Sequence, residues 1–386
     1  MRLVDVNGFY APLGGGVRSY VDWKLRHAEQ SAHEVIIIAP GPEDRCELRP
    51  GGAIQWVASP QFPLDRRYRM LMNARRTHEL LDQLRPDVIE ASSPWRTAGI
   101  VAEWRGDAPK HWIMHADPLA AYAYRWFGAL AQRSTIDQMF GWFWEYMRSL
   151  APRFARIVCA NEWLASRLRG GGIANVDTIP FGVEAGIFTP LRRDADLRAT
   201  LLKSCDRPES GLLLCGVGRH TPEKMWPLVI EAAAAAGARR DIALIQIGEG
   251  RDTHVLTRTI GSNPHIRLLP PIRDRQQLAT LLASTDGLIH GCDAETFCFV
   301  AAEAAASGIP VIAPSEGAAK DAAKGFVSQY RAGDVVDATR AILDLHDCHD
   351  QALAEAREHA RAAPRTMDDH FNDLFAAYGA PARRAA

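Results

Sequence analysis

The 386-residue chain contains no uninterrupted apolar run of about 20 residues, the length a helix needs to cross a bilayer, so no membrane-spanning helix is expected. Its start runs straight into a strand-like segment, Arg2-Leu3-Val4-Asp5-Val6, without the pattern of a secretory leader. Seven cysteines (Cys46, Cys159, Cys205, Cys215, Cys292, Cys298 and Cys348) are scattered, odd in number and without a C-x-x-C pair. That argues against a disulfide framework or a zinc ribbon and for reduced thiols in a cytoplasmic protein. Charge of one sign is also missing. With 45 Lys and Arg against 46 Asp and Glu, the net charge of −1 gives no global electrostatic case for nucleic acid. No internal repeat is seen, and no low-complexity tract beyond Ala-rich helices and a short tail at 380–386.

Two further absences concern sites. No Asp-x-Asp stands at a strand end as a metal ligand. Asp194-Ala195-Asp196 has the spacing but lies in a charged, helix-like stretch and reads as solvated surface. Gly248-Glu249-Gly250 follows a strand, yet Thr253 occupies the place of the third glycine of a dinucleotide fingerprint, which argues against NAD binding.

What is present is a regular alternation of short apolar strands and longer helical segments, the mark of α/β architecture with parallel sheets. In the first half strands are expected at 3–6, 34–39, 87–90, 111–115, 156–159 and 176–179. The second half offers 212–217, 242–247, 266–269, 287–290 and 310–313. The Gly- and Pro-marked segment 182–190 separates the two sets. The length suits two domains better than one core. Two Rossmann-like domains facing across a cleft follow, because open parallel sheets bind ligands at the carboxyl ends of their strands. The segment after Pro364, through Phe371, Leu374, Phe375 and Tyr378, reads as a final amphipathic helix.

The most informative stretch is Glu295-Thr296-Phe297-Cys298-Phe299-Val300-Ala301-Ala302-Glu303, followed by a tightly packed helix, Gly308 and a buried strand. Glu295 is expected in the first helical turn, beside free N–H groups and the positive end of the dipole. Glu303, about two turns and roughly 12 Å further along the axis, could hold the far end of an elongated ligand. Core packing alone does not ask for it, since an unpaired buried carboxylate is costly. Gly14-Gly15-Gly16 ahead of a helix allows close backbone approach to a ligand, and reads equally as a plain turn. His115 ends a strand and is expected at the cleft. Arg18 faces either the cleft or solvent.

These residues resemble the retaining, family 4 (group 1) nucleotide-sugar glycosyltransferases of the GT-B fold. Glu295 and Glu303 match their E-x7-E signature, and Gly14-Gly15-Gly16-Val17 resembles the glycine loop facing the donor. Ile179-Pro180-Phe181-Gly182-Val183 with Phe188-Thr189-Pro190 resembles the interdomain segment. Val217-Gly218-Arg219 with Glu223-Lys224 resembles the phosphate clamp. The likeness spans nearly the whole chain. It implies an acceptor-side domain over 1–185 completed by a helix near 365–380, and a nucleotide-sugar-binding domain over 186–364. It implies a metal-independent hexosyltransferase without a cofactor, using a UDP- or GDP-linked donor and a glycan or lipid-linked acceptor in cell-surface polysaccharide or glycolipid synthesis. By resemblance, Arg219 and Lys224 clamp the diphosphate, Glu295 and His115 contact the transferred sugar, and Glu303 takes the ribose diol. Gly15, Gly16 and the N–H groups of Phe297, Cys298 and Phe299 line the donor. The step implied is front-face displacement, in which a donor phosphate oxygen takes the acceptor proton and no enzymic nucleophile is needed.

Three places depart from the family pattern: Cys298 where glycine is usual, Gly291-Cys292 for a common Pro-Ser, and Met225-Trp226 where a glycine commonly follows the lysine. Residues 120–150 are rich in aromatics interleaved with Arg125, Arg133 and Arg148. A second cluster, Arg66, Arg67, Arg69, Arg75 and Arg76, is interleaved with Tyr68, Met70, Leu71 and Met72. These segments read either as a surface touching a membrane that carries the acceptor or as an aromatic core under solvated arginines. Rival functions on the same architecture are a nucleotide-sugar epimerase or hydrolase, which would consume donor without acceptor, and a non-enzymatic sugar-binding module.

Overall fold

A computed structural model describes residues 1–12, 15–63, 68–117, 119, 133–362 and 364–379. The chain forms two compact units: Met1–Pro180 together with the segment from Asp368, and Phe181–Met367.

The first unit is built on an eight-stranded sheet in the order β3-β4-β2-β1-β5-β6-β7-β8. Its strands are β1 (Arg2–Val6), β2 (Glu34–Gly41), β3 (Arg45–Arg49), β4 (Gly52–Ala58), β5 (Val88–Ala91), β6 (Lys110–Met114), β7 (Arg156–Cys159) and β8 (Val176–Thr178). All neighbours are parallel except the β3/β4 hairpin. The central strands are apolar on both faces, as Val35, Ile36, Ile37, Ile38 and Ala39 show, because helices cover both sides of a parallel sheet. The final helix, Met367–Gly379, buries Phe371, Leu374, Phe375 and Tyr378. It contributes to this unit's core: Tyr378 stacks on His111 of β6, with ring centroids 4.2 Å apart, and donates its hydroxyl to Glu90 of β5 at 2.5 Å.

The second unit carries a six-stranded parallel sheet in the order β11-β10-β9-β12-β13-β14. The strands are β9 (Leu212–Val217), β10 (Ile242–Ile247), β11 (Ile266–Leu269), β12 (Gly287–Ile289), β13 (Val311–Pro314) and β14 (Val327–Tyr330). It begins at Phe181, because Phe181 stacks on Phe299 and Val183 bridges Thr366 at the unit's other end. In both sheets the strand order reverses beside the first strand, between β1 and β5 and between β9 and β12. Such switch points leave a crevice at the carboxyl ends of the strands, where open α/β sheets take ligands.

Candidate functional site

In the second unit, the two loops that leave the switch point carry five of the expected residues, Arg219 and Lys224 in one and Glu295, Phe297 and Cys298 in the other. The loop after β9 turns at Gly218, whose φ is +156°, and continues through Arg219 to a 3-10 turn, Pro222–Lys224. The next helix, Trp226–Gly237, fixes this loop from below: Trp226 is fully buried and its indole N–H donates to the Arg219 carbonyl at 2.8 Å. The Gly248-Glu249-Gly250 loop after β10 lies against the same segment. His220 N–H donates to the Glu249 carbonyl, and a Cβ on Gly248 would meet the Gly218 carbonyl at 2.0 Å. Thr253, at the place of the missing fingerprint glycine, closes this loop with its hydroxyl on the Gly250 carbonyl and on His220 Nδ1, each at 2.9 Å.

The loop after β12 runs from His290 to Cys298. Glu295 lies in this loop and not in a helical turn, since the helix spans Phe299–Ala306 with Cys298 at its N-cap. The sequence expectation is corrected there. The left-handed Cys298 (φ 70°) breaks the backbone between Phe297 and the helix, so only Phe299 of the three expected N–H donors is helical. Phe297 and Phe299 pack edge-on at 5.0 Å, both against Phe181.

The fold brings Lys224 and Glu295 into direct contact, the ammonium donating to Oε1. His290, buried at the end of β12, places Nε2 3.2 Å from the same oxygen. Burial alone would raise the Glu295 carboxyl, but the Lys224 charge and the His290 hydrogen bond hold it far below the usual carboxylate range. Burial likewise works against the Lys224 ammonium and is outweighed by Glu295, so its pKa stands raised. The His290 ring is held neutral chiefly by its burial. Arg219 is nearly half exposed, its guanidinium 3.6 Å from Glu223.

Glu303, fifth residue of its helix, is buried and is not an isolated carboxylate. Arg275 donates to its Oε1 at 2.5 Å and reaches Glu184 at 3.2 Å, with its cation 4.8 Å from the Phe188 ring. Burial raises the Glu303 carboxyl. Sequence reasoning did not find Arg275, Glu184 or His290. A histidine closing a buried strand is the one signal that pointed to His290; the other two became partners only through tertiary folding.

The remaining expected residues belong to the first unit. Gly15 caps the helix Gly16–Glu29, accepting from the Arg18 and Ser19 N–H groups; Gly14 lies outside the described residues. Arg18 turns back onto the Pro12 carbonyl at 2.7 Å and toward Asp22 at 3.5 Å. His115 follows β6 and packs edge-on against Tyr20 at 4.8 Å; burial lowers its pKa to about 4, so it is neutral. Of the aromatic segment, 120–132 lie outside the described residues, as do Arg66 and Arg67. Beyond them Phe143 and Met147 are buried, whereas Met139 and Trp142 are more than half exposed. Arg75 and Arg76 pair with Glu79 and Asp44.

Two family descriptions match the chain in succession: "Glycosyltransferase Family 4" over residues 14–186 and "Glycosyl transferases group 1" over residues 211–347. The chain belongs to glycosyltransferase family 4. It is similar along nearly its whole length to a GDP-mannose-dependent alpha-mannosyltransferase of Mycolicibacterium smegmatis, with 28% identity over 95% of this chain and 92% of the relative. A GDP-mannose-dependent alpha-(1-6)-phosphatidylinositol dimannoside mannosyltransferase of Mycobacterium tuberculosis is 29% identical over 92% of this chain and 91% of its own. Among solved structures, sucrose-phosphate synthase of Thermosynechococcus elongatus superposes with a TM-score of 0.74, at 16% identity, over 98% of this family 4 chain and 100% of its own. The GT-B fold is thereby shared. Among the described residues, no helix is long and apolar enough to cross a membrane.

Proposed function

We propose that this family 4 enzyme moves mannose from GDP-mannose to a lipid-linked or glycan acceptor, with retention at the anomeric carbon. The observation that carries the reading is the meeting of Lys224 and Glu295 at the switch point of the second unit's sheet. Cleaving a sugar–phosphate bond puts charge on the departing diphosphate, and fixed cations stabilise it most where little water competes. Lys224 and Arg219 are the cations for that task. Glu295, kept ionised by Lys224, accepts from sugar hydroxyls. Glu303, steadied by Arg275 on one oxygen, takes the ribose diol. Gly15, Gly16 and the N–H groups of Phe297, Cys298 and Phe299 complete the donor contacts. His115, neutral at physiological pH, contacts the sugar as a hydrogen-bonding group without charge. GDP-mannose as donor is supported by the names of both relatives, and a phosphatidylinositol-type lipid as acceptor by the name of the second.

Incubation with GDP-mannose or UDP-glucose, with and without a phosphatidylinositol mannoside acceptor, tests this. Acceptor-dependent GDP release is expected. Donor consumption without acceptor would favour an epimerase or hydrolase, and binding without turnover a sugar-binding module. Lys224→Ala is expected to lower turnover by roughly 10²–10³-fold, the loss typical of an electrostatic stabiliser; an undiminished rate removes its assignment. Exposed Met139 and Trp142 support a membrane-facing surface, for which absence of binding to anionic liposomes at low salt would be decisive against.

A further inference from the structure

Beside Lys224 stands a donor set of which the proposed transfer reaction uses Glu295 alone. One ring nitrogen of His290, the thiol sulfur of Cys292 and a carboxylate oxygen of Glu295 all lie within 4.8 Å of one another. His290 is fully buried and Cys292 nearly so, while the Glu295 side chain keeps 19% of its exposure. All three come from the one loop that follows β12. His290 ends β12 with its own carbonyl fixed by the Tyr330 hydroxyl at 2.7 Å, and Cys292 and Glu295 follow in the short loop. The Nδ1 of this imidazole has no hydrogen-bond partner among the described residues.

Nitrogen, thiolate and carboxylate together are the ligand types of zinc, not of magnesium or calcium, which prefer all-oxygen shells. Around a tetrahedral zinc, with Zn–N near 2.0–2.1 Å and Zn–S near 2.3 Å, ligand atoms stand roughly 3.3–3.6 Å apart. The set therefore needs a contraction of about 1 Å at its widest, within reach of side-chain rotation. Three protein ligands leave a fourth position open, as at zinc sites that admit water or substrate.

We infer that His290, Cys292 and Glu295 bind a zinc-type divalent cation, and that its binding blocks sugar transfer. This rests on the assignment of Glu295 to the transferred sugar. On binding, the Cys292 thiol loses its proton to solvent, the sulfur and the imidazole nitrogen each give an electron pair to the cation, and no group is oxidised. Glu295 is drawn from Lys224, which donates to the same carboxylate, so the ammonium and the metal compete for one oxygen. Removing the ammonium must strengthen the metal site.

Cobalt(II) reports on the site without reference to activity, because thiolate ligation gives an intense near-ultraviolet charge-transfer band. The intact, untagged chain is titrated with Co²⁺ and then with Zn²⁺. A band at one equivalent, displaced by zinc and abolished in Cys292→Ser, supports the site. Its absence, or its survival in Cys292→Ser, overturns it. Lys224→Met, read by the same band, is expected to bind cobalt about tenfold or more tightly; unchanged or weaker binding overturns the competition. In the transfer assay, Cys292→Ser is expected to keep the basal rate and to need about 100-fold more zinc for half-inhibition, a loss at the upper end of what even outer ligand partners contribute. A band with zinc-insensitive transfer overturns the block and places Glu295 away from the sugar. No band, together with transfer abolished in Glu295→Gln, overturns the metal site alone and leaves the transferase assignment standing.

Discussion

Met225 and Cys298 stand one on each side of the Lys224–Glu295 contact in the two site loops, and both hold left-handed backbone, with φ of 52° and 70°. For a side chain with a Cβ that conformation costs roughly 1–2 kcal/mol. The sequence marks the same two positions as departures from a glycine, and the structure supplies the reason: a glycine takes positive φ without strain. Met225 is 39% exposed, so little packing is lost with its side chain. Met225→Gly is therefore expected to raise stability by up to about 1 kcal/mol, the strain relief less glycine's entropic cost. Met225→Val, β-branched in the same conformation, is expected to lower it. Chemical denaturation midpoints of the three proteins decide the order, and a less stable glycine variant would show that the backbone is not strained there. Although His290, Arg275 and Glu184 went unseen, Arg219, Lys224, Glu295 and Glu303 were legible from their likeness to the family's motifs. Their pairing was not: Lys224 and Glu295 are 71 residues apart, and only the neighbouring of β9 with β12 joins their loops.

Among the elements, most interior strands were written plainly in the sequence, and strands without a continuous apolar run were not. β7, β9 and β10 fall where apolar runs place them, because a strand covered on both faces must be apolar throughout; the edges β8 and β11 also fall at expected positions, whereas interior β4, opened by Gly52 and interrupted by Gln55, was missed. β3, Arg45-Cys46-Glu47-Leu48-Arg49, is an edge strand with mostly exposed side chains, and β14, Val327-Ser328-Gln329-Tyr330, is another edge. Neither has a buried face wide enough to leave a pattern. The Glu295 placement failed for a related reason, since a positive-φ break at Cys298 has no compositional mark when a cysteine makes it. One interior strand also carries a titrating group. His111 of β6 is buried beneath Tyr378, and burial first, then Arg156, lowers its pKa to about 4. The unfolded histidine, near pH 6.5, binds a proton that the folded one refuses. Stability on this account is complete above about pH 6.5 and is lost as pH falls toward 4, by on the order of 3 kcal/mol. His111→Phe, which keeps the stacking and cannot protonate, is expected to flatten that fall when unfolding is followed from pH 7 to 4.5. Parallel pH profiles for the two proteins would rule His111 out.

At the scale of the whole molecule, the first unit is closed by a charge cluster that no single element contains. Lys24 of the first long helix is fully buried between Asp5 of β1, at 2.9 Å, and Glu90 of β5, and Tyr378 of the last helix caps the other Glu90 oxygen. Burial would lower the Lys24 pKa, but the two carboxylates outweigh it and hold the ammonium charged. Removing one member strands the others in a medium that solvates them poorly. Lys24→Met is expected to cost roughly 3–5 kcal/mol, and Tyr378→Phe about 1–2 kcal/mol, read as shifts in the urea unfolding curve of the full chain. A Lys24→Met protein as stable as the parent would show that the cluster holds nothing together.

Because the helix at Met367–Gly379 belongs to the unit that begins at Met1, that unit is split in the order of translation. A ribosome delivers the N-terminal sheet early and its last helix only after all of residues 181–367 have been made. Until then Glu90 lacks its tyrosine, and the apolar floor that receives Phe371 and Leu374 lies uncovered. The nascent chain thus carries a half-finished domain for about half of its synthesis, and a truncation before Met367 would be felt first in the N-terminal sheet.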